Sequence, residues 1–143
     1  MNVSVRMAEI YDLGKIKEIA DEFRDELGFV YEAELVRGVQ NRSVIVAEVD
    51  GQVVGFNYFR CRKDRKAVIY AIAVTKSFQR QGIGRLLLRK FIEIARQRGC
   101  VEVELKCPAM SLGANLFYKR FGFKFCGIVD GKKQKLVIWK LAI

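Results

Sequence analysis

Residues 72–85 read Ile-Ala-Val-Thr-Lys-Ser-Phe-Gln-Arg-Gln-Gly-Ile-Gly-Arg, and the rest of the chain is arranged around them. Residues 68–74 are rich in aliphatic and branched side chains, which predicts a buried strand. After a polar turn, apolar residues recur at helical spacing from Ile83, and Gly99 is placed to end the helix. The pattern therefore predicts a strand, a turn that holds Gly82 and Gly84, and the start of a long helix.

Such a junction is a favourable place for an anionic group. The first amides of a helix have no intrahelical partner and lie at the positive end of its dipole. Glycine, which has no Cβ, lets a ligand approach the backbone closely. Together these features predict a phosphate site. The two glycines could instead serve packing, and the local pattern alone leaves that alternative open.

The spacing of the glycines narrows the kind of phosphate site. The dinucleotide fingerprint G-x-G-x-x-G requires a third glycine where Leu87 stands, and the P-loop requires Gly-Lys-Ser/Thr where Arg85 follows Gly84. What remains is Gln79-x-x-Gly82-x-Gly84. This pattern resembles the acetyl-coenzyme A pyrophosphate loop, Q/R-x-x-G-x-G/A, of the GNAT N-acetyltransferase superfamily.

Length and composition predict a single soluble domain over residues 1–143. The hydrophobic fraction is 51% and the charged fraction 29%, as in ordinary globular proteins. No apolar run approaches the ~20 residues that span a bilayer, and we expect no signal peptide. The sequence therefore predicts a cytoplasmic protein with no membrane partner.

Histidine is absent, and the four cysteines form no C-x-x-C pair. These absences exclude Ser-His and Cys-His nucleophiles and the H-E-x-x-H metalloproteases, and they predict that no metal is bound. The four cysteines are read as small hydrophobic residues in a reduced compartment.

The formal net charge is +10, although nine of the sixteen acidic residues precede residue 35. A basic domain invites a nucleic-acid interpretation. Here the positive residues belong to separate predicted elements, and no aromatic-interleaved stripe is present on which bases could stack. A nucleic-acid partner is therefore not expected.

Periodicity and turn signals predict eleven elements in the order β-α-α-β-β-β-α-β-α-β-β. The predicted strands are residues 2–7, 43–49, 52–61, 67–74, 101–106, 123–129 and 135–141. The predicted helices are residues 8–27, 32–39, 81–98 and 112–120. The single β-α-β unit should cross over right-handed, which makes its strands parallel and places ligand at their carboxyl ends.

This order is similar to the GNAT fold along the whole chain, an α/β fold of the α+β type with a mixed sheet of about seven strands. The resemblance implies a splayed parallel pair of strands, with the pantetheine arm of acetyl-coenzyme A in the gap. The residues that it assigns to this cofactor are Ile72, Ala73 and Val74 on the strand and Gln79, Arg80, Gln81, Gly82, Ile83, Gly84 and Arg85 in the loop.

A second motif covers residues 114–123, Ala-Asn-Leu-Phe-Tyr-Lys-Arg-Phe-Gly-Phe, and resembles the family signature A-N-x-F-Y-x-x-x-G-F. Asn115 and Tyr118 are three residues apart and share one helical face. The resemblance implies that both border the cofactor and that the Tyr118 hydroxyl approaches the thioester sulfur. On the residues alone, Tyr118 could equally be a packing residue and Asn115 a helix-face amide.

The resemblance implies an N-acetyltransferase in which a primary amine attacks the acetyl carbonyl directly. The amide of Val74 would stabilise the oxyanion, and Tyr118 would protonate the departing thiolate as general acid. Some relatives have a glutamate as base on the strand before the loop, where this chain has Val68. Glu104 is the best remaining carboxylate, although the alternation of Glu102 and Glu104 also suits a solvent-facing strand edge.

The acceptor amine cannot be named from the sequence. By resemblance, the acidic first helix borders the acceptor groove and would attract a cation, but an acidic outer face on an amphipathic helix explains the same residues. Two other functions stay open: a basic RNA- or ribosome-binding module that keeps the fold, and a cofactor-binding domain without turnover. An exposed strand in the last hairpin could pair two copies into a homodimer.

Overall fold

Seven strands form one mixed sheet in the computed structural model, which describes residues 2–143. The spatial order is β1-β2-β3-β4-β5-β7-β6, and β4 and β5 are parallel while all other neighbours are antiparallel. The predicted mixed sheet with one parallel pair is confirmed. The strands are β1 (Val3–Met7), β2 (Val44–Val49), β3 (Gln52–Cys61), β4 (Lys66–Val74), β5 (Glu102–Pro108), β6 (Lys124–Asp130) and β7 (Lys135–Ala142).

Five α-helices connect these strands: α1 (Leu13–Glu22), α2 (Arg24–Leu27), α3 (Glu32–Gln40), α4 (Ile83–Gln97) and α5 (Leu112–Phe121). The long helix begins at Ile83 and not at residue 81, because Gly82 adopts a left-handed conformation as its N-cap. Strand β5 extends to Pro108, two residues beyond the predicted end, and pairs there with Leu136. None of the helices in the described residues is long and apolar enough to cross a bilayer.

The prediction of one helix over residues 8–27 is wrong. The segment starts with a 3₁₀ turn, and α1 ends at Glu22, after which Phe23 leaves the helical region at φ −111° and ψ 30°. The Glu22 carboxylate accepts hydrogen bonds from Thr75 Oγ1 at 2.7 Å and from the Lys76 amide at 3.0 Å. These bonds tie the end of α1 to the end of β4, so a tertiary contact coincides with the break in the helix.

The two faces of the sheet carry separate apolar clusters. On one face Phe59, Leu87 and Phe91 pack with α4 and α5, and on the other Ile16 and Phe56 pack with α1 and α3. Complete burial of each such side chain contributes about 1.5–3 kcal/mol. The helices thus cover both faces of the sheet, and the carboxyl ends of the parallel strands β4 and β5 remain as the place for a site.

A β-bulge interrupts β4 at Tyr70. Tyr58 of β3 lies opposite Ala71 and Phe59 lies opposite Ile69, so Tyr70 is the extra residue. Because a slip of one residue exchanges the two faces of a strand, Ile69 packs on the α4 face whereas Ala71 packs on the α1 face. The sequence patterns did not predict this bulge.

Strand β6 lies at the edge of the sheet and pairs with β7 on one side. Phe125 and Ile128 on this strand are more than half exposed. An exposed edge of this kind can pair with another strand. The homodimer stays a prediction.

Candidate active site

The parallel strands β4 and β5 diverge after a short paired segment. Their register runs from Lys66 opposite Glu102 to Ile69 opposite Leu105. Beyond that point β4 remains paired with β3 as far as Val74, and β5 remains paired with β7 as far as Pro108. The result is a V-shaped gap between two well-supported strands, open at their carboxyl ends.

The backbone of β4 presents hydrogen-bonding groups to this gap. The Thr75 amide donates to the Val54 carbonyl of β3 at 2.8 Å. Because backbone groups alternate between the two edges of a strand, those of Ala73 also face β3, whereas those of Ile72 and Val74 face the gap. Gln79 Nε2 donates to the Val74 carbonyl at 2.9 Å, which leaves the Val74 amide for another partner.

The loop between β4 and α4 forms a nest of free amides. Arg80 and Gly82 both have left-handed backbones, with φ of 62° and 83°. The first helical bond runs from the Leu86 amide to the Gly82 carbonyl at 3.1 Å. Within residues 2–143, the amides of residues 80–85 donate no hydrogen bond. Six unpartnered amides at the positive end of a helix dipole are an arrangement that favours an anion.

The two loop glycines have different structural roles. A Cβ on Gly84 would lie 3.4 Å from the ring of Phe117, so this glycine allows α4 and α5 to approach. A Cβ on Gly82 would meet no described atom within 4 Å, but the positive φ of Gly82 strains any L-residue. Gly84 therefore serves the packing of α4 against α5, whereas Gly82 serves the left-handed turn of the loop.

A cavity of about 200 Å³ occupies the gap between β4 and β5. Its wall includes Leu105, Cys107 and Tyr118, which belong to the cluster on the α4 face. It also includes Leu27, which packs with the cluster on the α1 face, and the neighbouring Glu26. Residues from both faces of the sheet therefore line the cavity.

Tyr118 lies in the wall of this cavity and is 7% exposed. Burial raises the pKa of its hydroxyl above the ordinary value, and electrostatic interactions with Cys107 and Glu26 act in the same direction. The phenol is therefore protonated at neutral pH. Within residues 2–143 its hydroxyl makes no hydrogen bond, so it is available to a ligand.

Asn115 holds three elements together. Its Nδ2 donates to the carbonyls of Pro108 and Ser111, both at 3.0 Å, and its Oδ1 accepts from Trp139 Nε1 at 2.8 Å. These bonds join the end of β5, the start of α5 and β7. Asn115 thereby fixes the helix that carries Tyr118.

Glu104 lies outside the cavity wall. It stands opposite Val68 in the paired segment of β4 and β5, and its carboxylate forms an ion pair with Lys140 at 3.7 Å. The carboxylate in the described wall is that of Glu26. Among residues 2–143, no cluster of three or more potential ligands could hold a metal ion.

Sequence reasoning placed Glu26 only among the acidic residues of the first helix, which by resemblance borders the acceptor groove, and it did not single out Lys106 or Cys107 of the wall. Lys106 and Cys107 directly follow the last β4–β5 pair, so the strand register could have found them. Glu26 comes from the other end of the chain and is brought in by tertiary packing, for which the sequence has no local signal.

Comparison with known proteins gives relatives for both sequence and fold. The profile of the acetyltransferase (GNAT) family matches residues 6–123. An uncharacterized N-acetyltransferase of Methanocaldococcus jannaschii is 40% identical over 92 residues, which are 60% of this chain and 41% of that protein. The chain therefore spans less than half the length of this curated relative.

Two solved structures show the same fold. Ard1 from Thermoplasma volcanium superposes with a TM-score of 0.90 at 21% identity, covering 100% of this chain and 99% of that one. PaiA N-acetyltransferase from Thermoplasma acidophilum, solved in complex with coenzyme A, has a TM-score of 0.79 at 22% identity, and both chains are covered in full. The family and the fold that the two sequence motifs predicted are confirmed: the chain belongs to the acetyltransferase (GNAT) family.

Proposed function

We propose that this chain transfers an acetyl group from acetyl-coenzyme A to a primary amine, with both substrates bound at once. The observation that carries this proposal is the gap between β4 and β5, with the amide nest of residues 80–85 at its edge. A strand edge with free backbone groups beside an anion site suits a ligand that has an amide-bearing arm and a diphosphate.

The proposed contacts follow from the free backbone groups. The amides of residues 80–85 would bind the pyrophosphate, with Arg80 and Arg85 adding positive charge. The amides of the pantetheine arm would pair with the gap-facing groups of Ile72, as an added strand pairs with a sheet edge, and the Val74 amide would stay free for the acetyl carbonyl. The Gln79 side chain bonds the Val74 carbonyl and so supports the loop from within.

The lining of the cavity by residues from both faces of the sheet favours direct attack. The thioester would enter beside Tyr118 on the α4 face, and the amine would enter beside Glu26 on the α1 face. The thiol in the wall is a poor nucleophile, because burial raises the pKa of Cys107 to about 12. This argues against an acetyl-cysteine intermediate.

The chemical step needs an oxyanion donor and an acid. As the nitrogen attacks the carbonyl carbon, the Val74 amide would stabilise the developing oxyanion. The C–S bond then breaks, and the thiolate takes a proton from the Tyr118 hydroxyl. Solvent then returns a proton to Tyr118. An ordinary thiol has a pKa of about 8.5. The burial that raises the pKa of Tyr118 also disfavours a thiolate in the same cavity, which makes the proton transfer less unfavourable.

The acceptor must lose protons as the amide bond forms, and two carboxylates are candidates to receive them. Glu104 would act through water, because it is paired with Lys140 and lies outside the wall. Glu26 lies in the wall itself. The pH–rate profiles of Glu104→Gln and Glu26→Gln distinguish the two, because only removal of the true base changes the acidic limb.

Initial rates of free-thiol release test the proposal. We expect turnover with a panel of amines and intersecting double-reciprocal lines when acetyl-coenzyme A and acceptor are varied, as a ternary complex requires. Mass spectrometry of protein incubated with acetyl-coenzyme A alone should show no acetyl adduct on Cys107. Parallel lines with an acetylated Cys107 would refute direct attack, and an absence of thiol release with every amine would refute the transferase.

A further inference from the structure

The exposed rim of the cavity, its mouth, carries two residues of opposite charge. Glu26 comes from α2, and Lys106 comes from β5. Both side chains are exposed, and within residues 2–143 neither forms an ion pair with the other or with a third residue. The mouth therefore presents one negative and one positive group to an incoming molecule.

Hydrogen bonds and strand pairing hold the segments that carry these two residues. Glu22 ties the end of α1 to Thr75 and Lys76, and Gln134 Nε2 donates to the Asp25 carbonyl at 3.4 Å. Helix α2 is thus fixed between the end of β4 and the β6–β7 turn. Lys106 is fixed within the sheet opposite Ile138 of β7.

The neighbouring charges support this interpretation. Glu104, two residues before Lys106 on β5, forms an ion pair with Lys140 at 3.7 Å. The titratable groups that line the cavity with Glu26 and Lys106 are Tyr70, Cys107 and Tyr118. The β6–β7 turn, which contacts α2, adds the exposed Lys132 and Lys133. Lys106 in the lining and the lysines of this turn disfavour a ligand that carries only positive charge.

We propose that the acceptor is an amine that also carries an anionic group, as an amino acid does. Glu26 binds the ammonium side of the acceptor, and Lys106 binds its carboxylate. A site with one negative and one positive group selects a ligand that carries a positive and a negative group in the complementary positions. The ammonium first loses one proton to solvent, and the neutral nitrogen then forms the N–C bond as the C–S bond breaks. Tyr118 protonates the thiolate, and the second proton of the nitrogen leaves through solvent, which reprotonates Tyr118. This inference rests on the proposed acetyl transfer.

Two matched acceptors test the inference: an ω-amino acid and its carboxamide, with the same chain length and the same reacting amine. The quantity measured is the ratio of kcat/KM for the acid to kcat/KM for the amide, followed by thiol release. We expect Lys106→Gln to lower this ratio about tenfold, equivalent to about 1.4 kcal/mol, and Lys106→Glu to reverse the preference. Differences in intrinsic amine reactivity cancel when the same ratio is compared between variants.

Control variants separate binding from overall charge. Lys124→Gln makes the same charge change on the exposed β6 strand and should leave the ratio unchanged. Glu26→Gln should raise KM for both acceptors, whereas Glu32→Gln on α3 should not. Thermal unfolding of each variant verifies that it is folded.

The outcomes distinguish this inference from the function on which it rests. Thiol release with an unchanged ratio in Lys106→Gln would overturn the anionic acceptor and leave the acetyltransferase standing. A wild-type preference for diamines over amino acids would also overturn it. If no acceptor releases thiol although acetyl-coenzyme A binds, the transferase and the inference are both overturned.

Discussion

Ile69 of β4 lies opposite Leu105 of β5 in the last pair that joins these two strands. The next residue, Tyr70, is the bulge that exchanges the faces of β4. After this point β4 stays paired with β3, and β5 stays paired with β7. The gap therefore removes no hydrogen bonds between these outer pairs. The free edge that results is the feature on which the proposed cofactor site depends.

Replacing Gly82 should weaken cofactor binding through the backbone. Gly82 has φ of 83°, and a left-handed backbone costs an L-residue about 1–2 kcal/mol. In Gly82→Ala we expect the loop to relax and the Kd for acetyl-coenzyme A, measured calorimetrically, to rise about tenfold. Gly99→Ala is the matched control, because Gly99 has φ of 87° at the far end of α4. The Gly99→Ala variant should lose a similar amount of stability and bind acetyl-coenzyme A with the wild-type Kd. Equal effects of the two substitutions on Kd would contradict cofactor binding at the amides of residues 80–85.

Removing the Tyr118 hydroxyl should lower turnover without lowering stability. Tyr118→Phe deletes the proposed acid, so kcat should fall by about 10²-fold. The free energy of unfolding should hardly change, because the hydroxyl has no hydrogen-bond partner within residues 2–143. Tyr31→Phe, an exposed tyrosine at the start of α3, is the control. Unchanged kcat in Tyr118→Phe would exclude the acid role.

The pH dependence provides a separate test of the same residue. Burial raises the pKa of Tyr118, so its hydroxyl stays protonated at pH values where an exposed tyrosine, with a pKa of about 10, begins to ionise. Between pH 7 and pH 9 we therefore expect kcat of the wild type and kcat of Tyr118→Phe to change with pH in the same way. An alkaline fall confined to wild type in this range would show that Tyr118 ionises earlier.

The two functional motifs could be predicted from sequence because their chemistry is local. The loop needs Gly82 at a helix start, and Asn115 and Tyr118 need only helical spacing, so both patterns are visible in short stretches. The bulge at Tyr70 could not be predicted, because strand periodicity continues through it and only pairing with β3 shows the extra residue. Glu26 reaches the cavity wall through tertiary contacts of Glu22 and Asp25, which leave no local pattern.

Asn115 should prove important for stability as well as for the site. Asn115→Ala leaves the Nε1 donor of Trp139, which is 6% exposed, without its partner and removes two bonds at the start of α5. We expect a loss of about 2 kcal/mol in the free energy of unfolding. Denaturation followed by fluorescence of Trp139, the single tryptophan, measures it. A change below about 0.5 kcal/mol would show that these bonds contribute little.

Cysteine reactivity should follow burial. Burial raises the pKa of Cys107 to about 12, and burial together with the neighbouring Cys61 raises that of Cys100 to about 11. At pH 8 the thiolate fractions are then about 10⁻⁴ and 10⁻³, since only the thiolate reacts. Iodoacetamide should label the exposed Cys126 first, and the labelling rate of Cys107 should rise about tenfold per pH unit. Rapid labelling of Cys107 at pH 8, read by peptide mass spectrometry, would contradict its burial.

The most direct measurement is a titration of the ¹⁵N-labelled protein with coenzyme A, followed by amide chemical shifts and hydrogen exchange. If the splayed strands and the loop bind the cofactor, the largest shifts and the new protection will fall on the amides of Ile72, Val74 and residues 80–85. Saturable binding with these amides unchanged and the shifts elsewhere, or no binding at millimolar coenzyme A, would contradict the account.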